Sequence, residues 1–269
     1  MRFTDAQHDL HLAGAPNFRD IGGCSAAGGL RLRRRQLFRS DDLSRLTGQD
    51  VAVLRELRIR VVVDLRTESE RRRRPSRLPE TGFELLSVGT QHIAGTSGTL
   101  RGFRDMLTKD PSVAGARCMM IETYRSLPLQ CALAVGCVIH RLVEGASPLL
   151  IHCTLGKDRT GFVCACLHRL LGVPEEQIYE DYLRSGEIHF QRTSADREVM
   201  LAATSQAVED MIGVSVSRDV IEVIGSVDRE YLSTAFSVLD QEFGSIEGYV
   251  KSCGVDWHVI DRLRERLLV

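Results

Sequence analysis

Apolar positions along the chain follow two rhythms. The short runs Ile59-Arg60-Val61-Val62-Val63-Asp64-Leu65 and Pro148-Leu149-Leu150-Ile151-His152 are β-branched or continuously apolar. They predict strands buried on both faces. Longer stretches place apolar residues three and four apart and predict helices. Leu46, Val51, Val53, Leu54 and Leu57 predict one within 41–58; 132–143 reads as a second, closed by Glu144-Gly145; 160–171 reads as a third, stopped by Gly172 and Pro174. Helical spacing returns in Val199, Met200, Ala203, Val208, Met211 and Ile212, and again over 231–269 through Leu232, Phe236, Leu239, Phe243, Tyr249 and Val250. Strands alternating with helices predict an α/β fold with a central, mostly parallel sheet flanked by helices. No repeat or long linker divides the chain, so 1–269 reads as a single domain. Segment 187–225 has more amphipathic length than that core needs and follows the third helix, which makes it a candidate helical lid within the domain.

Other stretches interrupt these rhythms. Asn17-Phe18-Arg19-Asp20-Ile21-Gly22-Gly23 opens a glycine-rich region suited to turns, and 91–102 is rich in Gly, Thr and Ser and expected to be mobile. Residues 68–77 carry five basic side chains around Pro75. A solvated helix end explains them most simply, a contact with an anionic surface less simply.

At 43% hydrophobic and 26% charged, the 269 residues can bury a sizeable core. The formal charge of −1 offers no overall basic field for nucleic acid, and no apolar run approaches the ~20 residues of an integral membrane segment. The polar N-terminus lacks the apolar stretch of a standard signal peptide, so a cytoplasmic protein is expected, or one exported by another route. Eight cysteines, at 24, 118, 131, 137, 153, 164, 166 and 253, are too sparse for a disulfide scaffold and fit a reducing compartment. Cys164 and Cys166 form a C-x-C pair with no partner pair at zinc spacing, so no metal is expected there. Only Lys109, Lys157 and Lys251 among the 35 basic residues are lysines; a lysine in this chain is therefore informative.

The strongest chemical signal is His152-Cys153-Thr154-Leu155-Gly156-Lys157-Asp158-Arg159-Thr160-Gly161, set between the second predicted strand and the third predicted helix. A loop entering a helix N-terminus can turn successive N–H groups inward as an anion cradle, aided by the helix dipole. A cysteine at its floor attacks as a thiolate, the form that such a terminus and a nearby cation favour. Arg159, six residues after Cys153, offers a planar fork that grips two phosphate oxygens at once. Gly156 lets the loop turn and approach the anion; the amides of Thr154, Leu155, Gly156 and Lys157 are expected to line it. Thr160 is placed to donate its hydroxyl to the sulfur as the leaving group of a second step. Lys157 reads as phosphate-facing more readily than as a solvated loop residue. His152 either tunes the sulfur or fills the last strand position. Cys153 and Arg159 have bland readings too, as a packing thiol and one more surface arginine; their spacing across a strand–loop–helix makes both weak.

The string His-Cys-x-x-Gly-Lys-Asp-Arg-Thr-Gly resembles the phosphate loop of the bacterial tyrosine-phosphatase-like family. Further stretches resemble that family in order: Asn17 to Gly23, Leu37-Phe38-Arg39-Ser40-Asp41-Asp42-Leu43, Val63-Asp64-Leu65-Arg66-Thr67-Glu68-Ser69-Glu70, Asp181-Tyr182-Leu183-Arg184-Ser185 and Glu242-Phe243-Gly244-Ser245. The resemblance implies a cysteine-dependent phosphatase fold across 1–269 and two-step phosphomonoester hydrolysis through a phosphocysteine. It implies Cys153 as nucleophile and Arg159 as phosphate clamp, with no cofactor and no metal, since Arg159 and the loop amides supply the positive charge. The family acts on phosphotyrosine, and members act on lipids. The expected partners are therefore a phosphorylated protein (phosphotyrosine, with dual specificity for phosphoserine or phosphothreonine) or a phosphoinositide, with Lys157 serving mainly the latter.

The general acid is less directly written. Asp105, Asp110 and Glu122 lie in the window where tyrosine phosphatases usually carry it, yet none sits in a Trp-Pro-Asp motif. The family pattern points to Asp158 inside the loop; Asp64, at the end of the first predicted strand, is the second choice. A rhodanese- or arsenate-reductase-like thiol enzyme would share the cradle but leave the Lys-Asp-Arg-Thr string unexplained. A non-catalytic phosphate-binding scaffold would need a broken nucleophile or arginine, and both are intact.

Overall fold

The computed structural model describes residues 10–89, 100–190, 197–198, 201–202, 204–206, 208–209, 213 and 215–269. The β-branched runs form strands as expected, within a sheet of five: β1 (Arg19–Asp20), β2 (Leu37–Ser40), β3 (Val61–Asp64), β4 (Glu84–Ser87) and β5 (Leu149–His152). Their order is β1-β2-β5-β3-β4. β1 runs antiparallel to β2, and the other pairings are parallel. β5 is central, with Ser40 and Asp64 flanking His152 in register. Three parallel strands therefore end side by side, on the edge where α/β sheets place their ligands.

Alternate residues of these strands feed two cores, as pleating requires. Phe38, Val62 and Leu150 join Leu12, Phe18, Leu46, Leu54 and Leu57 on one face. Leu37, Val61, Val63, Leu149 and Ile151 join a larger core on the other. The first face is covered by α1 (Gly48–Glu56), shorter than the expected 41–58. Thr47 and Asp50 form a reciprocal capping box that sets the helix start, and 41–46 stays a loop. α2 (Glu68–Arg73) follows β3, and its arginines give way to irregular chain around Pro75.

On the other face pack α4 (Val113–Gln130), preceded by α3 (Leu100–Lys109); α5 (Ala132–Val143), as expected; and α6 (Arg159–Leu170) and α7 (Glu175–Phe190). The stretch expected to be helical over 231–269 is three helices, preceded by α8 (Arg218–Gly225): α9 (Arg229–Phe243), α10 (Ile246–Ser252) and α11 (Trp257–Leu267). Gly244 and Gly254, at φ 76° and 85°, break the chain between them. Of the expected mobile stretch 91–102, residues 91–99 lie outside the described residues. So does part of the candidate lid 187–225; its described residues 197–198, 201–202, 204–206 and 208–209 are helical, with Leu201 and Val208 buried in the larger core. No single described helix is long and apolar enough to cross a membrane.

Candidate active site

Between β5 and α6, residues 153–158 form a loop whose carbonyls are drawn away from its interior. Thr154 O accepts the Asp42 amide at 3.1 Å. Leu155 O accepts Asn17 Nδ2 at 3.0 Å and lies 2.9 Å from His189 Nε2. Gly156 O accepts Arg39 Nη2 at 2.6 Å and Asn17 Nδ2 at 3.2 Å. In a trans peptide the N–H of the next residue points opposite to the carbonyl. The amides of Leu155, Gly156 and Lys157 therefore face the interior, as an anion cradle requires. Gly156 has φ +67°, and a Cβ there would lie 2.4 Å from Ser40 O and 2.7 Å from Asn17 Nδ2. Only glycine fits. Cys153 sits at the floor, 2% exposed, directly after β5.

The anchors behind this loop form a buried ionic layer. Asp181, on α7, receives Arg19 Nε at 2.8 Å and Arg39 Nη1 at 2.5 Å, and both arginines reach Ser185. Burial alone would raise the Asp181 carboxyl, but the two guanidiniums hold it well below the usual range. Burial and the neighbouring Arg39 together lower Arg19 to about 10. Asn17, Arg19, Arg39, Asp42 and Asp181 lie in stretches singled out from sequence, but no role was assigned to any of them. Arg39 carries a signal, an arginine directly after Leu37-Phe38, whereas Asp42 and Asp181 sit beside other polar residues and carry none.

Arg159 opens α6 and turns its guanidinium across the loop. Glu70 grips its end bidentately, with Nη1 to Oε2 at 2.8 Å and Nη2 to Oε1 at 2.7 Å. Thr154 Oγ1 donates to the same carboxylate at 2.5 Å. Burial would raise Glu70, yet Arg159 and Thr154 hold it far below its ordinary value. Nη1 also reaches Leu65 O and Nη2 reaches Thr154 Oγ1, each at 3.3 Å, while no acceptor among the described residues faces Arg159 Nε. Glu70 is a site residue that sequence reading passed over, although it closes the third family-like stretch. Thr160, next along, is fully buried, and its hydroxyl finds no partner among the described residues.

Asp158 is the N-cap residue of α6 but makes no side-chain cap. Its Oδ1 accepts Tyr124 Oη at 2.6 Å and Lys157 Nζ at 2.8 Å. Lys157 is 1% exposed, so its ammonium reaches Asp158 rather than solvent. Asp64 and His152 lie beneath the site, both fully buried. Arg66 takes both Asp64 oxygens, Nε at 3.0 Å from Oδ1 and Nη2 at 2.7 Å from Oδ2. His152 Nε2 stands 3.6 Å from Asp64 Oδ2, and burial lowers its pKa despite that carboxylate. Of the other acid candidates, Glu122 accepts a bond from Arg125, Asp110 caps the turn at Ser112, and Asp105 is exposed on α3. Cys24, Cys131 and Cys164 are packing residues whose thiols burial pushes up to about 12.

The site thus places a sulfur beneath inward-facing amides, a fixed guanidinium at the rim and a carboxylate beside it. That arrangement can hold a tetrahedral dianion against a nucleophile and offer a proton from one side. The sequence profile of a group described as "Tyrosine phosphatase family" matches residues 10–269. The triple specificity protein phosphatase PtpB of Mycobacterium tuberculosis is 32% identical over 278 residues, covering 96% of this chain and 98% of that one. A tyrosine-protein phosphatase of Nostoc commune is 28% identical over 234 residues, 85% of this chain and 73% of its own. Among solved structures, that of Pseudomonas aeruginosa TpbA aligns with a TM-score of 0.33 and 17% identity over 80% of this chain and 95% of that one.

Proposed function

The chain belongs to the tyrosine phosphatase family, and on that premise we propose that it hydrolyses phosphotyrosine, phosphoserine or phosphothreonine, and phosphoinositides through a phosphocysteine. In the first step Cys153 Sγ attacks phosphorus as the ester P–O bond breaks, and Asp158 protonates the departing oxygen. The amides of 154–159 and the guanidinium of Arg159, through its Nε, carry the equatorial oxygens. In the second, water attacks phosphorus, gives its proton to Asp158, and releases the sulfur, which the Thr160 hydroxyl steadies. The observation that carries this reading is the direction of the loop peptides: three carbonyls are tied outward, leaving three amides over Cys153.

The breadth of substrates rests on charge around the mouth, and on a relative whose name records triple specificity. Glu70, which grips Arg159, lies on α2, and the exposed Arg72 and Arg73 follow within about 5 Å of helix rise. Lys157 enters through Asp158, to which its ammonium is bound. The candidate lid 187–225 remains part of the proposal, supported by His189 reaching the carbonyl of Leu155 just before that segment leaves the described residues.

Phosphate release from a phosphotyrosine peptide and from phosphoinositide vesicles tests the substrate half. Both should be hydrolysed. Replacing Arg72 and Arg73 together with Glu should raise KM for the vesicles more than for a small aryl phosphate, with the gap shrinking in high salt. No release from vesicles, or equal effects on both substrates, removes the lipid half. A protein that binds phosphate without releasing it from any ester would be a scaffold instead.

A further inference from the structure

Asp158 is bound to Tyr124 and, through it, linked to Tyr182, two tyrosines that the two-step reaction itself does not use. An aspartate at a helix N-cap ordinarily turns its carboxylate onto its own helix amides. Asp158 makes no such bond. Its Oδ1 takes the Tyr124 hydroxyl at 2.6 Å, and the Tyr124 oxygen accepts the Tyr182 hydroxyl at 2.6 Å. Both rings are fully buried and meet edge to face at 6.1 Å. Tyr124 comes from α4 and Tyr182 from α7, while Asp158 comes from the loop. Three separate elements therefore meet in one hydrogen-bonded row.

Its direction is fixed by proton count. An ionised Asp158 can only accept, so the single hydroxyl proton of Tyr124 goes to Oδ1, and Tyr124 can then only accept from Tyr182. Burial pushes both phenols well above their ordinary range, so they remain hydroxyls. Lys157 Nζ also donates to Oδ1, and Oδ2 has no partner among the described residues. With two donors on one oxygen, the proton Asp158 carries belongs on the other.

Resting on the proposed role of Asp158 as acid, we propose that Tyr124 is a positioning residue for that acid, aligned by Tyr182, and that the pair holds Oδ1 so that Oδ2 faces the leaving group. In a site of low dielectric such a row polarises along its length, and Tyr182 acts only through Tyr124.

The test compares turnover of an alkyl phosphate, whose leaving oxygen needs a proton, with that of a dinitrophenyl phosphate, whose leaving oxygen does not. It uses the full chain carrying Tyr124→Phe, Tyr182→Phe, both, or Asp158→Asn. Tyr124→Phe should lower kcat on the alkyl ester about tenfold or more while leaving the aryl ester within about twofold. KM and vanadate affinity should stay unchanged, since the cradle is untouched. Tyr182→Phe should act in the same direction and less, and the double variant should be no slower than Tyr124→Phe alone. Equal loss on both esters, or no loss on either, in a Tyr124→Phe protein that still binds vanadate overturns the positioning role while Asp158→Asn remains selective for the alkyl ester. An unselective Asp158→Asn overturns the acid assignment and the proposal with it. If Tyr124→Phe does not fold, Tyr182→Phe, which touches no carboxylate, decides by the same criteria.

Discussion

The reach of an arginine is set by whatever holds its planar end. Glu70 takes one donor from each Nη of Arg159, which leaves the guanidinium one orientation and its Nε without an acceptor among the described residues. Glu70→Gln keeps the shape but removes the charge that aligns the fork. A charge-assisted bond contributes about 1.5–3 kcal/mol, so phosphate, measured as a competitive inhibitor, should bind about tenfold or more weakly. An unaltered inhibition constant would mean Arg159 finds its place without Glu70. From sequence, Cys153 and Arg159 were legible because their chemistry depends on spacing. Glu70 was not, because its contact with Arg159 spans 89 positions and runs between two elements. Tyr124 and Tyr182 were hidden for the same reason: each looks like an ordinary core aromatic in its helix.

At the scale of elements, the loop 153–158 is shaped less by its own sequence than by what stands behind it. Gly156→Ala would push a methyl into Ser40 O at a backbone angle that alanine rarely adopts. The loop would have to move, and the inward amides with it. Vanadate binding and turnover should fall together, by about a hundredfold or more if each amide acts as an oxyanion-hole donor, in a protein whose far-ultraviolet spectrum is retained. Normal vanadate affinity in Gly156→Ala would show that the amides do not form the cradle. β3, β5, α5 and α6 were legible because their periods were clean and their ends carried Gly, Pro or charge. β2 was not predicted as a strand: Leu37-Phe38-Arg39-Ser40 reads as half apolar, yet it is wholly buried because Arg39 pairs with Asp181. β4 was equally silent, as a short and largely exposed edge strand. The helix expected from residue 41 begins at 48 because the Thr47–Asp50 capping box outweighs apolar periodicity, leaving Asp41 and Asp42 to tie down neighbouring loops.

Across the whole molecule, folding carries ionisable groups into the interior, and two buried histidines contribute to the pH response. His152 and His168 are both lowered, chiefly by burial. They are neutral in the fold, whereas in the unfolded chain they take protons below about 6.5. The unfolded state therefore binds more protons as pH falls, and stability declines with it, by up to about 1.4 kcal/mol per pH unit for each group. Asp181 and Glu70 are held low, so the stability they contribute is lost only at lower pH, beneath the ordinary carboxylate range. Denaturant melts should show less stability at pH 5.5 than at pH 7.5, with part of the slope removed in His168→Gln. Equal or greater stability at pH 5.5 would contradict neutral burial of these imidazoles.

The whole arrangement, from the outward-tied carbonyls to the fixed guanidinium, serves one atom, the sulfur of Cys153. Its role is tested most directly by mixing the protein with a rapidly turned-over aryl phosphate, quenching in acid within milliseconds, and mapping added phosphate by peptide mass. A phosphoryl group on the Cys153 peptide, absent together with all turnover in Cys153→Ser while vanadate still binds, is the expected result. Phosphate release that persists in Cys153→Ser, or a phosphoryl group trapped on another residue, would contradict the account.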